Sequence, residues 1–539
     1  MINNKTFGII VLTVIVCLLS FSMGVCASGT TYTYDNLDRL VEVTRPNGAK
    51  TYRAIYYDDQ NLVDVTKESG YWTEYEYESF GNPEDTRLKK VSTPDFHESR
   101  DNFYYTVHGT TEYSYNVKGK ILRAVISGED RKGNNHTAVH LYTYDPRQFL
   151  ETETHPEMNT FSSSYGNVSI SYIRDMVGNI TSKTDARGTT GYSYDNINRI
   201  RTVNYPDDTP DVTYNYDKDI LWQMISTQSN GETLIAYTYG YWPDNKLYTR
   251  SYSIKGRNYQ ETFTYNELRN IQTITYPSSR VITYYYYGDG IKIDHVYDSV
   301  FSKNLVSNIT YHPSSQISGY TYGDSTHIRT DIGYDIFHRP ITINTGTVAN
   351  TGSVTSLIYS YSSNDNVHTI IDNNNPDNEI TLEHEGHDRL AYAYGPWGTL
   401  MYGYDFLDNR TEMTRITGMD AYVTTYGYEN NRLASSRTIL VGLTDITVNI
   451  PYDASGNITK SGNNELVYDN ANRITHVAGV QAYWYDGNGE RIIKKDGGNT
   501  LVCHYGIAAN VISETNESGQ PLTDYIYLGS RIVAKDEWQ

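Results

Sequence analysis

One short motif, opening on Tyr-Asp, recurs along almost the whole chain and limits what it can fold into. Tyr34-Asp35-Asn36-Leu37-Asp38-Arg39-Leu40 returns as Tyr194-Asp195-Asn196-Ile197-Asn198-Arg199-Ile200. It returns again as Tyr452-Asp453-Ala454-Ser455-Gly456-Asn457-Ile458 and as Tyr468-Asp469-Asn470-Ala471-Asn472-Arg473-Ile474. Looser copies begin at Tyr57, Tyr77, Tyr115, Tyr144, Tyr172, Tyr216, Tyr239, Tyr265, Tyr334, Tyr361, Tyr404, Tyr428, Tyr485 and Tyr527. Self-similarity at a period of 20-odd residues is the mark of an array, in which each unit buries its surface against its neighbours.

The motif has a mechanical reading. A Tyr-x-Tyr pair precedes most copies, as in Tyr32/Tyr34, Tyr142/Tyr144, Tyr192/Tyr194 and Tyr483/Tyr485. Strand side chains alternate, so both phenols of a pair share one face. Asp then bonds its own backbone, and Gly or Asn in the fifth place accepts positive φ. Gly119, Gly178, Gly456 and Gly489 fill that place, with Asp38, Asn198 and Asn472 elsewhere. Leu or Ile opens the return strand, so each unit reads as a β-hairpin. The predicted fold class is all-β, with tandem hairpins over residues 30–539 forming one curled sheet or hollow shell. About twenty hairpins at ~4.8 Å per strand give a ribbon roughly 190 Å long, which would wrap about once around a cylinder ~60 Å across.

Composition narrows function more than fold. With 54 Tyr against 11 Phe and 6 Trp, the aromatic load suits half-wet strand surfaces and argues against disorder. A net charge of -20 repels phosphate backbones and argues against nucleic-acid binding. Lys5 followed by the uncharged run 7–27, ending Val25-Cys26-Ala27, reads as a signal peptide over residues 1–27. The same run is close to bilayer-spanning length, so an N-terminal membrane anchor is the rival reading. Both place the array outside the cytoplasm, secreted, periplasmic or at the cell surface. After cleavage only Cys503 of the three cysteines remains, leaving no intramolecular disulfide.

The repeats resemble the YD repeats of the Rhs family and of teneurin-type shells, over essentially the whole chain after residue 30. The resemblance implies a β-spiral that encloses a hollow, used by bacterial members to encapsulate a C-terminal toxin and by animal members as an adhesion scaffold. Family members follow the repeats with a core carrying aspartate self-cleavage and then a toxin. Here Tyr527-Leu528-Gly529-Ser530-Arg531-Ile532 is the last copy before Gln539, so the resemblance extends to the shell and not to the cleavage core or the cargo.

Stretches that look like sites are mostly repeat turns. In Glu383-His384-Glu385-Gly386-His387-Asp388 the histidines are three apart rather than the four of His-Glu-x-x-His, and the stretch overlies the motif with His in the Tyr place. Asp372–Glu379 lacks the sixth-position Gly of an EF-hand, and Asp486-Gly487-Asn488-Gly489-Glu490 is a repeat turn. Cys503 and His504 are neighbours on a strand and face opposite ways. The sequence therefore assigns no catalytic, metal or cofactor residue. The assigned residues are structural: Tyr34, Asp35, Tyr194, Asp195, Tyr452, Asp453, Gly456, Tyr468, Asp469, Tyr485 and Asp486. The reading is a non-enzymatic exported shell or scaffold, its partner an enclosed or downstream polypeptide or itself, through open sheet edges. Two alternatives stand beside it: a glycan- or cell-surface-binding adhesion module using Tyr rows, and a self-cleaving delivery protein whose C-terminal part is missing.

Overall fold

The computed structural model describes residues 30–44, 50–56, 62–67, 72–79, 86–93, 109–129, 135–156, 169–323, 328–362, 365–385, 388–405, 407–440 and 444–538. The segment 1–27 and the copy assigned at Tyr57 lie outside these residues. The fold is all-β, running from β1 (Thr31–Tyr34) to β44 (Arg531–Glu537). Helical structure among the described residues is confined to short 3-10 turns such as Pro376–Asn378.

Within each of two sheets every strand pairs antiparallel with its sequence neighbours, so both are continuous meanders. Thirty-five strands run to β35 (Thr444–Asn449), and an isolated bridge, Tyr452 to Ile458, leads into nine more from β36 (Lys460–Ser461) onward. The motif sits at one class of turn. Asp38 N–H donates to the Asp35 carbonyl (3.1 Å), Asp35 N–H donates to the Arg39 carbonyl (2.9 Å), and Asp38 has φ 60°. This is a type I turn closed by a left-handed residue, which explains why Gly, Asn and Asp alternate there. The return strand then carries one extra residue: Thr33 pairs with Glu42, but Tyr34 pairs with Leu40. The slip recurs in hairpin after hairpin and adds twist each time.

Some copies sit differently from their sequence assignment. The turn assigned to Tyr239 belongs to Tyr241, because Tyr241 pairs with Leu247 and the turn bonds join Trp242 to Lys246. At Tyr172 the turn begins at Asp175, with Arg174 in the tyrosine's place. At Tyr216 the hairpin closes in two residues, Asp217 pairing with Ile220.

The ribbon also winds further than one turn. Late strands lie on middle ones: Asn470 N–H donates to Thr209 Oγ1 (2.7 Å), Tyr237 Oη to Asp486 (3.1 Å), and Tyr276 Oη to the Tyr525 carbonyl (3.0 Å). As one partner advances along the chain so does the other, about 250 residues ahead. A sheet folded back on itself would show the opposite order. The contact is also front to back. Ile526 and Leu528, which alternate with Tyr525 and Tyr527, pack on Tyr276 and Tyr284. A coil is the arrangement that presents one face of a ribbon to the other face of the same ribbon. Each turn takes roughly 22 strands, hence a circumference near ~106 Å and a diameter near ~34 Å at ~4.8 Å per strand. The predicted 60 Å cylinder assumed no overlap. Self-overlap halves the radius and lets the sheet bury a core.

That core lies between the layers, in two clusters. Val203, Val212, Met224, Leu234, Ile235, Tyr237 and Tyr252 meet Ile492, Ile493 and Val502 in one. Ile282, Tyr284, Val296, Val306, Ile309 and Tyr320 meet Ile512, Ile526, Leu528 and Val533 in the other. Among the described residues before 186 the buried apolar ones are Ala54, Ala124 and Ala138.

Candidate functional site

The repeat turns and the seam between layers hold the chain's organised chemistry. In the turns that open on aspartate, one of its oxygens takes two backbone amides. Asp35 Oδ1 accepts from Leu37 and Arg39 (2.9 and 3.0 Å), and Asp195, Asp453, Asp469 and Asp486 do the same. The other oxygen takes the turn's own arginine where one exists: Arg39 Nε to Asp35 (2.6 Å), Arg199 to Asp195 (2.7 Å) and Arg473 to Asp469 (2.7 Å). The Arg39 hydrogen bond holds the Asp35 carboxyl below its ordinary range.

The tyrosine before the aspartate ties hairpin to hairpin. Tyr194 Oη donates to the Ile180 carbonyl (2.9 Å), Tyr452 to Leu433 (2.8 Å), Tyr468 to Ile458 (2.8 Å) and Tyr485 to Ile474 (2.7 Å). The pattern starts at Tyr56, which reaches Leu40 (3.0 Å), and runs to Tyr527, which reaches Val511 (2.8 Å). Where Arg174 replaces tyrosine, its Nε reaches the Leu150 carbonyl instead (3.3 Å). The arginine of one turn also lies over the next tyrosine ring, Arg39 over Tyr56 at 4.5 Å and Arg473 over Tyr485 at 4.8 Å. The phenols of these turns are therefore spent on the array, not offered to a ligand.

Of the assigned residues, Asp35 and Asp195 bond within their own turns and Tyr194 reaches the preceding hairpin, while Asp453, Asp469 and Asp486 are brought to the seam. There the other layer supplies what the repeat lacks. Asn457 stands in the arginine place beside Asp453, and Arg187 from the earlier layer forms the ion pair. Glu490 stands in that place beside Asp486, and the Tyr237 hydroxyl donates to Asp486 instead. Burial raises the Asp486 carboxyl above its ordinary range, the reverse of Asp35, and burial followed by the Asp486 charge pushes Glu490 up to about 7. The stretch at His384 is a turn in the same style, with Asp388 N–H on the Glu385 carbonyl (2.8 Å) and Arg389 paired to Glu385; Gly386 and His387 lie outside the described residues. Among the described residues no group of three or more His, Cys, Asp or Glu is placed to hold a metal ion.

Two polar nodes in the seam were missed from sequence. In the first, Arg250 pairs with Glu261 (2.7 Å), Tyr252 Oη donates to Glu261 (3.0 Å), and His504 joins Tyr252 (2.9 Å) to Thr515 (3.1 Å). Burial lowers His504 to about 3, so the imidazole is neutral: one nitrogen donates to Tyr252 and the other accepts from Thr515. The string resembles a proton relay, but Glu261, Tyr252 and His504 are 0, 5 and 1% exposed, and no substrate reaches them. Cys503, on the opposite face from His504, is buried as well, and burial pushes its thiol up to about 11. In the second node Arg280 is 1% exposed between Asp298 (3.0 Å), Asp536 (2.6 Å) and Asp524 (3.7 Å). The legible signal was departure from pattern: Glu in an arginine place at 490, and charge at inward strand positions 261 and 298.

The comparisons agree with this geometry. A family model, RHS Repeat, matches residues 27–50 and 174–210. No curated protein matches the chain in sequence. Among solved structures, the Tc holotoxin pore of Photorhabdus luminescens matches with a TM-score of 0.56 at 12% identity, covering 93% of this chain and 32% of that one. A TcdB2-TccC3 crystal structure matches with a TM-score of 0.56 at 11% identity, covering 93% and 33%. The chain thus spans about a third of the length of these proteins. At such identity the likeness is one of fold, that of a coiled repeat shell. Two segments of the chain thus match the RHS repeat, and its fold is similar to that of these Tc toxin structures.

Proposed function

We propose that the chain is the wall of an exported container or scaffold, and that its work is mechanical rather than catalytic. The observation that carries this is the allocation of polar chemistry. Tyrosine hydroxyls join successive hairpins, aspartates cap their own turns, and the Arg187–Asp453 and Arg280–Asp524 ion pairs join one layer of the coil to the next. The fold shared with Tc toxin structures supports the same reading. The enclosed partner is a polypeptide, and β1 and β44, each paired on one side only among the described residues, are the edges through which copies self-associate. Export rests on the sequence reading of residues 1–27.

A direct test fuses an unfolded, protease-sensitive polypeptide after Gln539. Enclosure requires that it be cut at least tenfold more slowly than the same polypeptide on an unrelated carrier, and that protection vanish when the seam is opened. Equal cutting rates would refute the container and leave a scaffold.

A further inference from the structure

The core cluster between the strands around Tyr284 and the last strands of the chain leaves a gap at the end of the coil where the repeat turns lie. A cavity of about 290 Å³ lies between the strands Ile271–Thr275, Val281–Tyr286 and Ile293–Asp298 of the earlier layer and the turn 506–510 of the later one. Its walls include Ile274, Ile293, Ile512 and the rings of Phe263 and Tyr284, and Ile507 and Ala508 stand exposed at its mouth. The lining reaches from Ile271 to Tyr276 along one strand, about 16 Å at ~3.3 Å per residue. Spread over that length, the volume leaves a mean width of about 4 Å, close to the contact diameter of a single carbon. The space is a slot one carbon wide.

Its surface is apolar because its polar groups are already committed. The tyrosines that line it donate their hydroxyls to backbone carbonyls: Tyr276 to Tyr525 (3.0 Å), Tyr284 to Tyr527 (3.0 Å), Tyr286 to Ile271 (2.6 Å) and Tyr527 to Val511 (2.8 Å). No charged side chain lines the slot, although Tyr505 and Asp524, a few residues from the lining, are tied to Arg250 and Arg280. The aspartate of the repeat is missing at this place. Gly506 and Leu528 follow Tyr505 and Tyr527, where sister turns carry Asp453, Asp469 and Asp486. A Cβ on Gly506 would meet Ile512 Cγ2 at 2.8 Å, so a side chain there would displace a wall of the slot. Buried water needs two to four polar partners, and Asn510 at the mouth is the one polar side chain of the lining besides the committed phenols.

We infer that this slot takes the hydrocarbon tail of a single-chain lipid, with the head group left in water beside Ile507 and Ala508. At ~30 Å³ per methylene, taken as the share of a similarly sized water in the liquid, the volume holds roughly ten carbons. Burial of apolar surface supplies the affinity, and the lining offers the head group no charge to recognise. An aromatic ring is too broad for a slot of this width. The inference does not depend on whether the coil encloses a polypeptide.

The test titrates the full chain by calorimetry with straight-chain alcohols and carboxylates of four to fourteen carbons, each below its micelle concentration. Affinity should rise about fourfold per methylene and level off near ten carbons, where the slot is full. Decanol and decanoate should bind within threefold of each other. Ala508→Trp, which blocks the mouth, should weaken decanol binding tenfold or more. Ile507→Asp should weaken decanoate more than decanol, by setting a carboxylate beside the head group. Ile197→Trp, at the same turn position as Ala508 in an earlier repeat, should leave binding unchanged. Both mouth residues are exposed, and native far-UV spectra in each variant show that the losses are local. The inference is overturned if no alcohol binds, if affinity climbs to fourteen carbons without levelling, if a phenyl compound of equal carbon number binds more tightly than decanol, or if Ala508→Trp binds decanol as the native chain does.

Discussion

Arg280 bolts the last strands onto the earlier layer, and its removal offers the sharpest test of the coil. Its guanidinium is 1% exposed and faces Asp298 and Asp524, both 0% exposed, with Asp536 at the rim. Arg280→Met keeps much of the apolar stem but leaves two buried carboxylates without a cation. Breaking a buried pair from one side costs about 3–5 kcal/mol, mostly as the penalty on the abandoned charge. The aspartates have other duties: Asp298 accepts from the Val300 amide (2.8 Å), and Asp524 from Ser278 Oγ (2.8 Å) and Trp538 Nε1 (2.9 Å). Replacing both with Asn alongside Arg280→Met removes the charge while retaining these acceptors, and should recover more than half of the loss. A repeat array need not unfold in one step, so the assay is local: native-state hydrogen exchange over β43 (Pro521–Leu528) and β44. About 3–5 kcal/mol accelerates exchange there by two to nearly four powers of ten, while strands 328–440, which contribute no residue to this node, stay near their original rates. Acceleration below tenfold, or a triple variant as damaged as the single one, would refute the reasoning.

Other outcomes follow from the same geometry. Tyr334→Phe removes a hydroxyl that donates to the Ile317 carbonyl (2.8 Å), and should cost about 0.5–1.5 kcal/mol, read as faster exchange at the 317–334 hairpins. Glu490 is held up to about 7 against an ordinary value of 4.5, so the folded chain keeps a proton that the unfolded chain releases. Its ionisation penalty is absent below about pH 4.5 and complete above about 7, so this group's contribution makes the protein less stable as pH rises through that window. Glu490→Gln should therefore stabilise the chain at pH 8 by about 1 kcal/mol, after discounting for the half-exposed carboxylate, and leave it nearly unchanged at pH 4.5; denaturant midpoints at the two pH values decide it. Cys503, buried with its thiol pushed up to about 11, should resist a maleimide at pH 7.5 in the native chain and react within minutes once denatured, and fast native labelling would contradict its burial.

Local structure was legible because the repeat writes it locally. Asp35 with Asp38, or Asp453 with Gly456, specifies a turn from residues a few positions apart, and strand alternation then places Tyr237 and Tyr239 on one face, where their rings stack at 6.0 Å. Register was less legible, since the copies at 172 and 239 were set by pairing with the preceding strand rather than by the nearest tyrosine.

The coil and its seam were decided only in three dimensions. Curvature accumulates from small twists over some 22 strands, and a slight change in each determines whether residue 486 meets residue 237 or solvent. No local rule makes Arg187 the partner of Asp453, or buries Arg280 between Asp298 and Asp524. These pairs arise because the ribbon returns to itself after about 250 residues, and only there does the chain find enough apolar surface to form a core. The sequence by itself determined the hairpin, its tyrosine tie and the all-β class, because those interactions are short in sequence. Tertiary structure decided which repeats became wall and which became seam, because that depends on the sum of every turn between them.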